Sequence, residues 1–138
     1  MTAGAEAVAA PNTAVRLARM LQFGDSMFPI GSFAFSGGLE SAIQKGVVRD
    51  VDTLQAFART AVEQAALGDG IALIWAHRAA VAGDLEELER IDQRVYGRKL
   101  SAETRAMTVR VGKKFAEMGA GITAAPLLHT WLERVRQG

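Results

Sequence analysis

The chain of 138 residues contains no cysteine. That absence excludes disulfide bonds, thiolate metal ligands and cysteine nucleophiles, and it favours an intracellular protein. An excess of one charge is also lacking, since 16 Lys and Arg are balanced by 15 Asp and Glu for a net charge of +1. No global field therefore attracts nucleic acid or an anionic membrane surface. A mild basic cluster at residues 90–114 contains Asp92 and Glu103, which favours a solvated face over a partner site.

Long apolar runs are missing too. None approaches the roughly 18 residues of a membrane-spanning helix, and the first twelve residues have no basic start and no apolar core of a signal peptide. The composition, 49% apolar and 22% charged, suffices for one folded domain. We therefore expect a flexible N-terminal tail over residues 1–12, a single domain over residues 13–138 and a cytoplasmic location.

Helical periodicity dominates the rest of the chain. Apolar residues recur at spacings of three and four, and the only strand candidate is the short run Gly46-Val47-Val48. These patterns predict an all-α single-domain bundle of about six helices without internal repeats. The predicted starts are Pro11-Asn12-Thr13, Gly37, Asp52 with Gln55, Asp84 with Glu87, Ser101 and Pro126, and the predicted ends or interruptions are Gly46, Gly68-Asp69-Gly70 and Gly97.

Residues 23–40, FGDSMFPIGSFAFSGGLE, differ from an ordinary linker. Pro29 and four glycines disfavour helix there, while four phenylalanines in so short a stretch favour burial. The segment is therefore predicted to be an ordered loop that packs on the domain after the first helix and enters a second helix near Ser36. Such loops commonly form docking or regulatory surfaces. The phenylalanines are Phe23, Phe28, Phe33 and Phe35.

Three kinds of chemical site are disfavoured. Gly24-Asp25-Ser26 is similar to the FGDS block of a serine esterase superfamily, but neither His77 nor His129 has the aspartate three residues before it that such a triad needs. Gly112-Lys113-Lys114 lacks the upstream glycine and the following Ser or Thr of a phosphate loop. The two histidines also lack a second histidine one turn away. The sequence therefore predicts no catalytic residue and no metal site.

Two observations on the loop admit more than one interpretation. A carboxylate such as Glu40 in the first turn of a helix either faces a partner or simply stabilises that helix end through the macrodipole. The phenylalanines either present a recognition surface or serve only as core side chains. Composition and spacing do not choose between these roles.

The string LQFGDSMFPIGSFAFSGGLE, which begins at Leu21, closely resembles the N-terminal motif of the UreF family of urease accessory proteins, L-Q-x-x-D-[SA]-x-[FL]-P-[IV]-G-[SAG]-[FY]-x-x-S-x-G-L-E. Residues 98–105, RKLSAETR, are similar to the family's second block, K-L-x-x-E-x-R. With the helices between them, the resemblance covers most of residues 14–136. Phe33 stands where some members have tyrosine, and Arg110-Val111-Gly112-Lys113 replaces a more usual Met-Gly-Arg step.

The resemblance implies a non-enzymatic, all-α protein that assists nickel incorporation into apo-urease. In that family the protein dimerises, binds a second accessory protein (UreD, also called UreH) and presents a surface to the GTPase UreG. Nickel and GTP are then handled by the partners, and no cofactor binds this chain directly. A helical adaptor unrelated to nickel is the alternative hypothesis.

The same resemblance nominates particular residues. Phe33, Ser36 and Glu40 are the predicted partner-binding residues, and Pro29, Gly31 and Gly38 are predicted to hold the loop in shape. Family members generally continue well beyond a residue equivalent to Gly138. For that reason we expect uncovered apolar surface on the last helix, a homodimer or higher oligomer, and weakened binding to UreD. The uncovered residues are predicted to be Leu128, Trp131 and Val135.

Overall fold

Helices account for most of residues 12–32 and 35–137, the part of the chain that the computed structural model describes. They are α1 (Thr13–Gly24), α2 (Leu39–Gln44), α3 (Val51–Ala65), α4 (Ile71–Ala82), α5 (Leu85–Arg98), α6 (Ala102–Ile122) and α7 (Pro126–Gln137), and a π-helical turn (Ala66–Gly70) joins α3 to α4. No strand occurs in the two described ranges, which confirms the all-α prediction. The strand candidate Gly46-Val47-Val48 is instead a turn and loop after α2, in which Val48 is buried.

Side-chain caps begin several of these helices as predicted. Asp84 accepts a hydrogen bond from the Glu87 N–H at 2.9 Å, and Ser101 accepts one from the Thr104 N–H at 3.0 Å. These bonds satisfy backbone donors that have no partner inside the helix. Pro126 begins α7, where its missing N–H costs nothing.

The start of α3 differs from the prediction. The capping residue is Asp50 and not Asp52: Asp50 Oδ1 accepts the Thr53 N–H at 2.9 Å, and Thr53 Oγ1 accepts the Asp50 N–H at 3.0 Å. The predicted pairing of Asp52 with Gln55 is therefore wrong, and Asp52 lies in the first turn. Hydrogen bonds from Thr53 favour the ionised carboxylate and lower the pKa of Asp50.

Two other predicted helix boundaries differ from the structure, and the predicted N-terminal tail lies mostly outside the described residues. α2 begins at Leu39 rather than Gly37, and α5 continues through Gly97 to Arg98. Residues 1–11, which make up most of the predicted tail, lie outside the described residues, whereas Asn12 caps α1 by accepting the Ala14 N–H.

The glycine pair around Asp69 interrupts the α-helical hydrogen bonding without ending the helix. Ala66 and Gly70 keep right-handed helical dihedrals, at φ −63° and −62°. Residues 51–82 consequently form one continuous helical rod with a π-helical turn in its middle, and the described residues contain six separate helical rods. Such turns accommodate an extra residue and occur frequently at functional sites.

Two antiparallel helix pairs contain most of the buried side chains. α4 packs on α5, where Ala79 and Ile91 are buried, and α6 packs on α7 through Ala116, Ala120 and Leu132. Gly119 permits the second contact, because a Cβ atom there would stand 3.0 Å from Leu128 Cδ2. Small residues on α6 thus allow α7 to approach closely.

One long-range ion pair ties the two helix pairs together, and another joins the end of α5 to the π-helical turn before α4. Arg134 on α7 contacts Glu89 on α5 at 3.2 Å, and Lys99 after α5 contacts Asp69 in the π-helical turn at 2.6 Å. The last helix is not the uncovered one: its predicted exposed residues are half-buried because α7 lies on α6. They are Leu128, Trp131 and Val135.

Much apolar surface remains exposed elsewhere. The exposed large side chains fall mainly on α1 and on the rod formed by α3, the π-helical turn and α4, and they include Leu17, Met20, Leu21, Val62, Leu67, Leu73 and Val81. Within the described ranges, no helix has the length and apolar character needed to cross a membrane.

Candidate partner-binding cleft

The loop between α1 and α2 is held on α6 by an aromatic cluster. The rings of Phe23 and Phe28 lie with their centroids 5.3 Å apart in an edge-to-face arrangement, and Phe115 on α6 lies 5.6 Å from the first and 5.7 Å from the second. These separations are typical of favourable aromatic pairs. Phe28 is buried, so the predicted packing of the loop on the domain is confirmed at this end.

A succession of tight turns shapes the first half of the loop. Asp25 accepts the Met27 N–H on its carboxylate at 2.8 Å and the Phe28 N–H on its carbonyl oxygen at 3.0 Å. A further turn is centred on Pro29, because the Ile30 N–H donates to the Phe28 carbonyl oxygen at 2.7 Å. Proline pre-sets the φ angle at such a position.

Glycines shape the second half, which leads into α2. The Leu39 N–H donates to the Ser36 carbonyl oxygen at 3.1 Å, and the two central residues of this turn, Gly37 and Gly38, have φ of +60° and +93°. Gly31 has φ of +77°. Side chains strain such a backbone, so glycine is the favoured residue at these positions.

The end of the loop and the start of α6 enclose an open cleft of about 870 Å³. Phe35 on the loop side and Met107 and Val111 on α6 contribute apolar surface to its lining. Polar side chains line it on both sides and include Ser36 and Glu40 from the loop and α2, and Glu103 and Thr104 from α6. Two segments that are about 60 residues apart in the sequence therefore form one surface.

Of the predicted partner-binding residues, the structure brings Ser36 and Glu40 to this cleft, and both are exposed. Phe33 lies outside the described residues. Within residues 12–32 and 35–137, Glu40 forms no ion pair and no side-chain hydrogen bond. The described residues thus leave its carboxylate open to a binding partner. Gly38 lines the same cleft, whereas Pro29 and Gly31 lie earlier in the loop.

The residues on the α6 side of the cleft were not predicted as partner-binding residues from the sequence. Glu103 and Met107 line it, and Arg110 lies with its guanidinium carbon 5.4 Å from the centre of the Phe35 ring. Glu103 is the glutamate of the second sequence block that resembles the family, so the sequence did mark this residue. Its spacing along the chain gave no indication that it lies beside residues of the first block.

Other residues of that second block have structural contacts. Lys99 pairs with Asp69, and the Arg105 guanidinium donates hydrogen bonds to the carbonyl oxygens of Lys99 and Leu100. Ser101 caps α6. These contacts fix the connection from α5 to α6 and thereby the position of the cleft's second side.

No catalytic arrangement accompanies the cleft in the described part of the chain. The structure places Ser26 in the loop, and neither His77 on α4 nor His129 on α7 hydrogen-bonds to it. Over the same residues, no group of three or more His, Asp or Glu side chains is arranged to hold a metal ion. A partner-binding role requires neither.

Comparison with known proteins identifies the relationship. The UreF family profile matches residues 48–138 of the chain. The chain belongs to the UreF family. A urease accessory protein UreF of Yersinia enterocolitica is 52% identical over 122 residues, and counterparts in Yersinia pestis and Yersinia pseudotuberculosis are each 50% identical over the same length. No solved structure matches the chain.

These UreF relatives are longer than the chain. Each match covers 88% of the chain but 54% of the relative, so the chain spans about half the length of the curated relatives it matches. The relatives are named as accessory proteins and not as enzymes, which agrees with the non-enzymatic role that the sequence predicts.

Proposed function

We propose that this chain assists nickel incorporation into apo-urease by bridging a UreD-type accessory protein and regulating a UreG-type GTPase. The observation that carries the proposal is the cleft between the loop and α6, to which the two family-like sequence blocks both contribute. Loops that a scaffold holds in a fixed shape are common recognition surfaces. Membership of the UreF family supports the link to urease.

The partner-binding surface in this proposal centres on Ser36 and Glu40, with Phe33 beside them in the sequence. The Glu40 carboxylate is exposed and has no ion pair or side-chain hydrogen bond within residues 12–32 and 35–137, so it can accept charge-assisted hydrogen bonds from a partner's Lys or Arg. Such bonds are stronger than neutral ones. Apolar surface from Phe35 and Met107 would be covered by the same contact. Pro29, Gly31 and Gly38 act indirectly by shaping the loop.

Nickel and GTP are bound by the partners in this proposal, and the chain holds no cofactor of its own. It acts in the cytoplasm as a homodimer, without nucleic-acid or membrane partners. Support for self-association comes from the exposed apolar residues of α1, Leu17, Met20 and Leu21, because apolar stripes of this kind are commonly covered by a second subunit.

GTP turnover tests the regulatory role. The chain is added to a UreG-type GTPase together with a UreD-type protein, and turnover is compared with that of the two partners alone. We expect a changed rate with the wild-type chain and a smaller change with Glu40→Ala. An unchanged rate would support instead an adaptor unrelated to nickel. Hydrolysis by the isolated chain that disappears in Ser26→Ala would support a hydrolase.

A further inference from the structure

The helix α4 carries far more apolar surface than its one packed face uses. Apart from His77 and Arg78, every residue of Ile71–Ala82 is apolar. Helices that are apolar all round are normally buried on all sides. Here α5 covers the side that contains Ala79, while Leu73 is 70% exposed and Val81 is 77% exposed.

The exposed residues form a stripe suited to helix packing. Ile74, His77 and Val81 follow one another at spacings of three and four, and Leu73 lies four residues before His77. Side chains at these spacings lie on one face of a helix. We call Leu73, Ile74, His77 and Val81 the outer face of α4.

We propose that the outer face of α4 binds the part of the UreF fold that lies outside this chain, and that a helix of that part packs along the stripe. The match covers 54% of each Yersinia relative, so those proteins contain roughly as much chain again. The face carries no acidic side chain, and uncharged apolar surfaces are typical of permanent contacts rather than of transient ones.

A second copy of the chain fits the face less well. In a two-fold symmetric contact centred on the stripe, His77 lies near the His77 of the other copy. Two neutral imidazoles that meet in this way can share one N–H···N hydrogen bond, but their two remaining nitrogens lie in an apolar contact, where unpaired polar groups are unfavourable. A different helix can present an apolar side chain or a hydrogen-bond acceptor to His77 instead.

The absence of cysteine makes the test direct. Two single-cysteine variants are prepared, Leu73→Cys on the outer face and Leu100→Cys as the control, since Leu100 is 96% exposed and lies outside every helix. Each is labelled with a maleimide, alone and after addition of the longer stretch of the Yersinia enterocolitica relative that lies outside the match. Light scattering gives the mass of the complex.

We expect a one-to-one complex in which labelling of Leu73→Cys slows by about tenfold or more while Leu100→Cys changes little, because a buried thiol reacts only when the contact opens. Leu73→Glu should prevent the complex, and Leu100→Glu should not. Circular dichroism of Leu73→Glu checks that its helices persist, which its exposure predicts.

Two results would overturn the proposal. If the added stretch is helical by circular dichroism but forms no complex, or forms one without slowing the labelling of Leu73→Cys, the face has another occupant. If the chain alone is a dimer in which Leu73→Cys is already protected, and Leu73→Glu makes it monomeric, that occupant is a second copy. Neither result bears on the regulation of a GTPase, which is measured separately.

Discussion

Arg110 lies with its guanidinium carbon 5.4 Å from the centre of the Phe35 ring, so α6 holds the end of the loop that leads into α2. The contact joins the two sides of the cleft at its apolar surface. It complements the Phe23, Phe28 and Phe115 cluster, which holds the beginning of the same loop. The loop is therefore anchored on α6 at both ends.

The first prediction concerns this anchor. Cation–π contacts at exposed sites contribute about 0.5–1 kcal/mol. A double-mutant cycle with Arg110→Ala and Phe35→Leu, followed by urea unfolding, should give a coupling free energy of that size. The pair Arg59→Ala and Phe35→Leu is the control, since Arg59 lies on α3, and it should show no coupling. Equal coupling in the two cycles would contradict the anchor.

The second prediction concerns the turn before α2. Gly38 has φ of +93°, and a side chain there strains the backbone by about 1–2 kcal/mol. Gly38→Ala should lower the free energy of unfolding by that amount. Gly24→Ala is the matched control, because Gly24 lies in α1 without a positive φ and has open space around it. Chemical unfolding measures the free energy of unfolding of both variants. An equal decrease in the two would refute a specific role for the turn.

Local signals in the sequence predicted much of the fold. The helix starts marked by the caps Asp84 and Ser101 and by Pro126 depend only on residues within three positions, and all three were predicted correctly. The error at α3 has a physical cause: Asp50 and Asp52 each precede a polar residue by three, but only Thr53 returns a hydrogen bond to its capping residue.

Features that depend on distant contacts were not predicted in full. Glycines around Asp69 indicated an interruption, but the pairing of Asp69 with Lys99, thirty residues away, was not foreseen. The cleft is a similar case. The loop indicated Ser36 and Glu40, yet their meeting with Glu103 depends on how α6 packs against the loop. The exposure of the outer face of α4 was likewise not predicted, because a helix that is apolar on all sides is normally expected to be buried.

The third prediction concerns Asp92 on α5, which lines a smaller cleft beside Trp131. Partial desolvation, with a smaller contribution from the negative charge of Glu89, raises the pKa of its carboxyl. Because the pKa of Asp92 is raised in the folded state, ionisation of this carboxyl lowers the free energy of unfolding. The loss of stability appears as the pH rises above 3.8, the ordinary pKa of an aspartate.

Asp92→Asn should therefore melt at a slightly higher temperature than the wild type at pH 7. The gain should stay within about 0.5 kcal/mol because the residue is exposed. Thermal melts between pH 3 and pH 7 measure the difference, which should shrink towards zero at the acidic end. A difference that grows as the pH falls has the opposite sign and would contradict the desolvation of this carboxyl.

The fourth prediction concerns Glu40 and separates its two interpretations. Removal of a carboxylate from an exposed first turn costs only about 0.3–1 kcal/mol through the helix macrodipole. Glu40→Ala should thus melt close to the wild-type temperature. Loss of a charge-assisted contact with a partner should weaken binding by roughly tenfold or more. Glu86→Ala is the matched control, because Glu86 occupies the first turn of α5, away from the cleft.

Nickel-dependent activation of apo-urease, reconstituted with UreD-type and UreG-type partners, tests the central claim most directly. The account predicts that the wild-type chain and Glu86→Ala support activation, and that Glu40→Ala supports it at least about tenfold less while remaining folded. Equal activation by Glu40→Ala and the wild type would contradict the assignment of the cleft. A wild-type chain that does not support activation at all would contradict the proposed function itself.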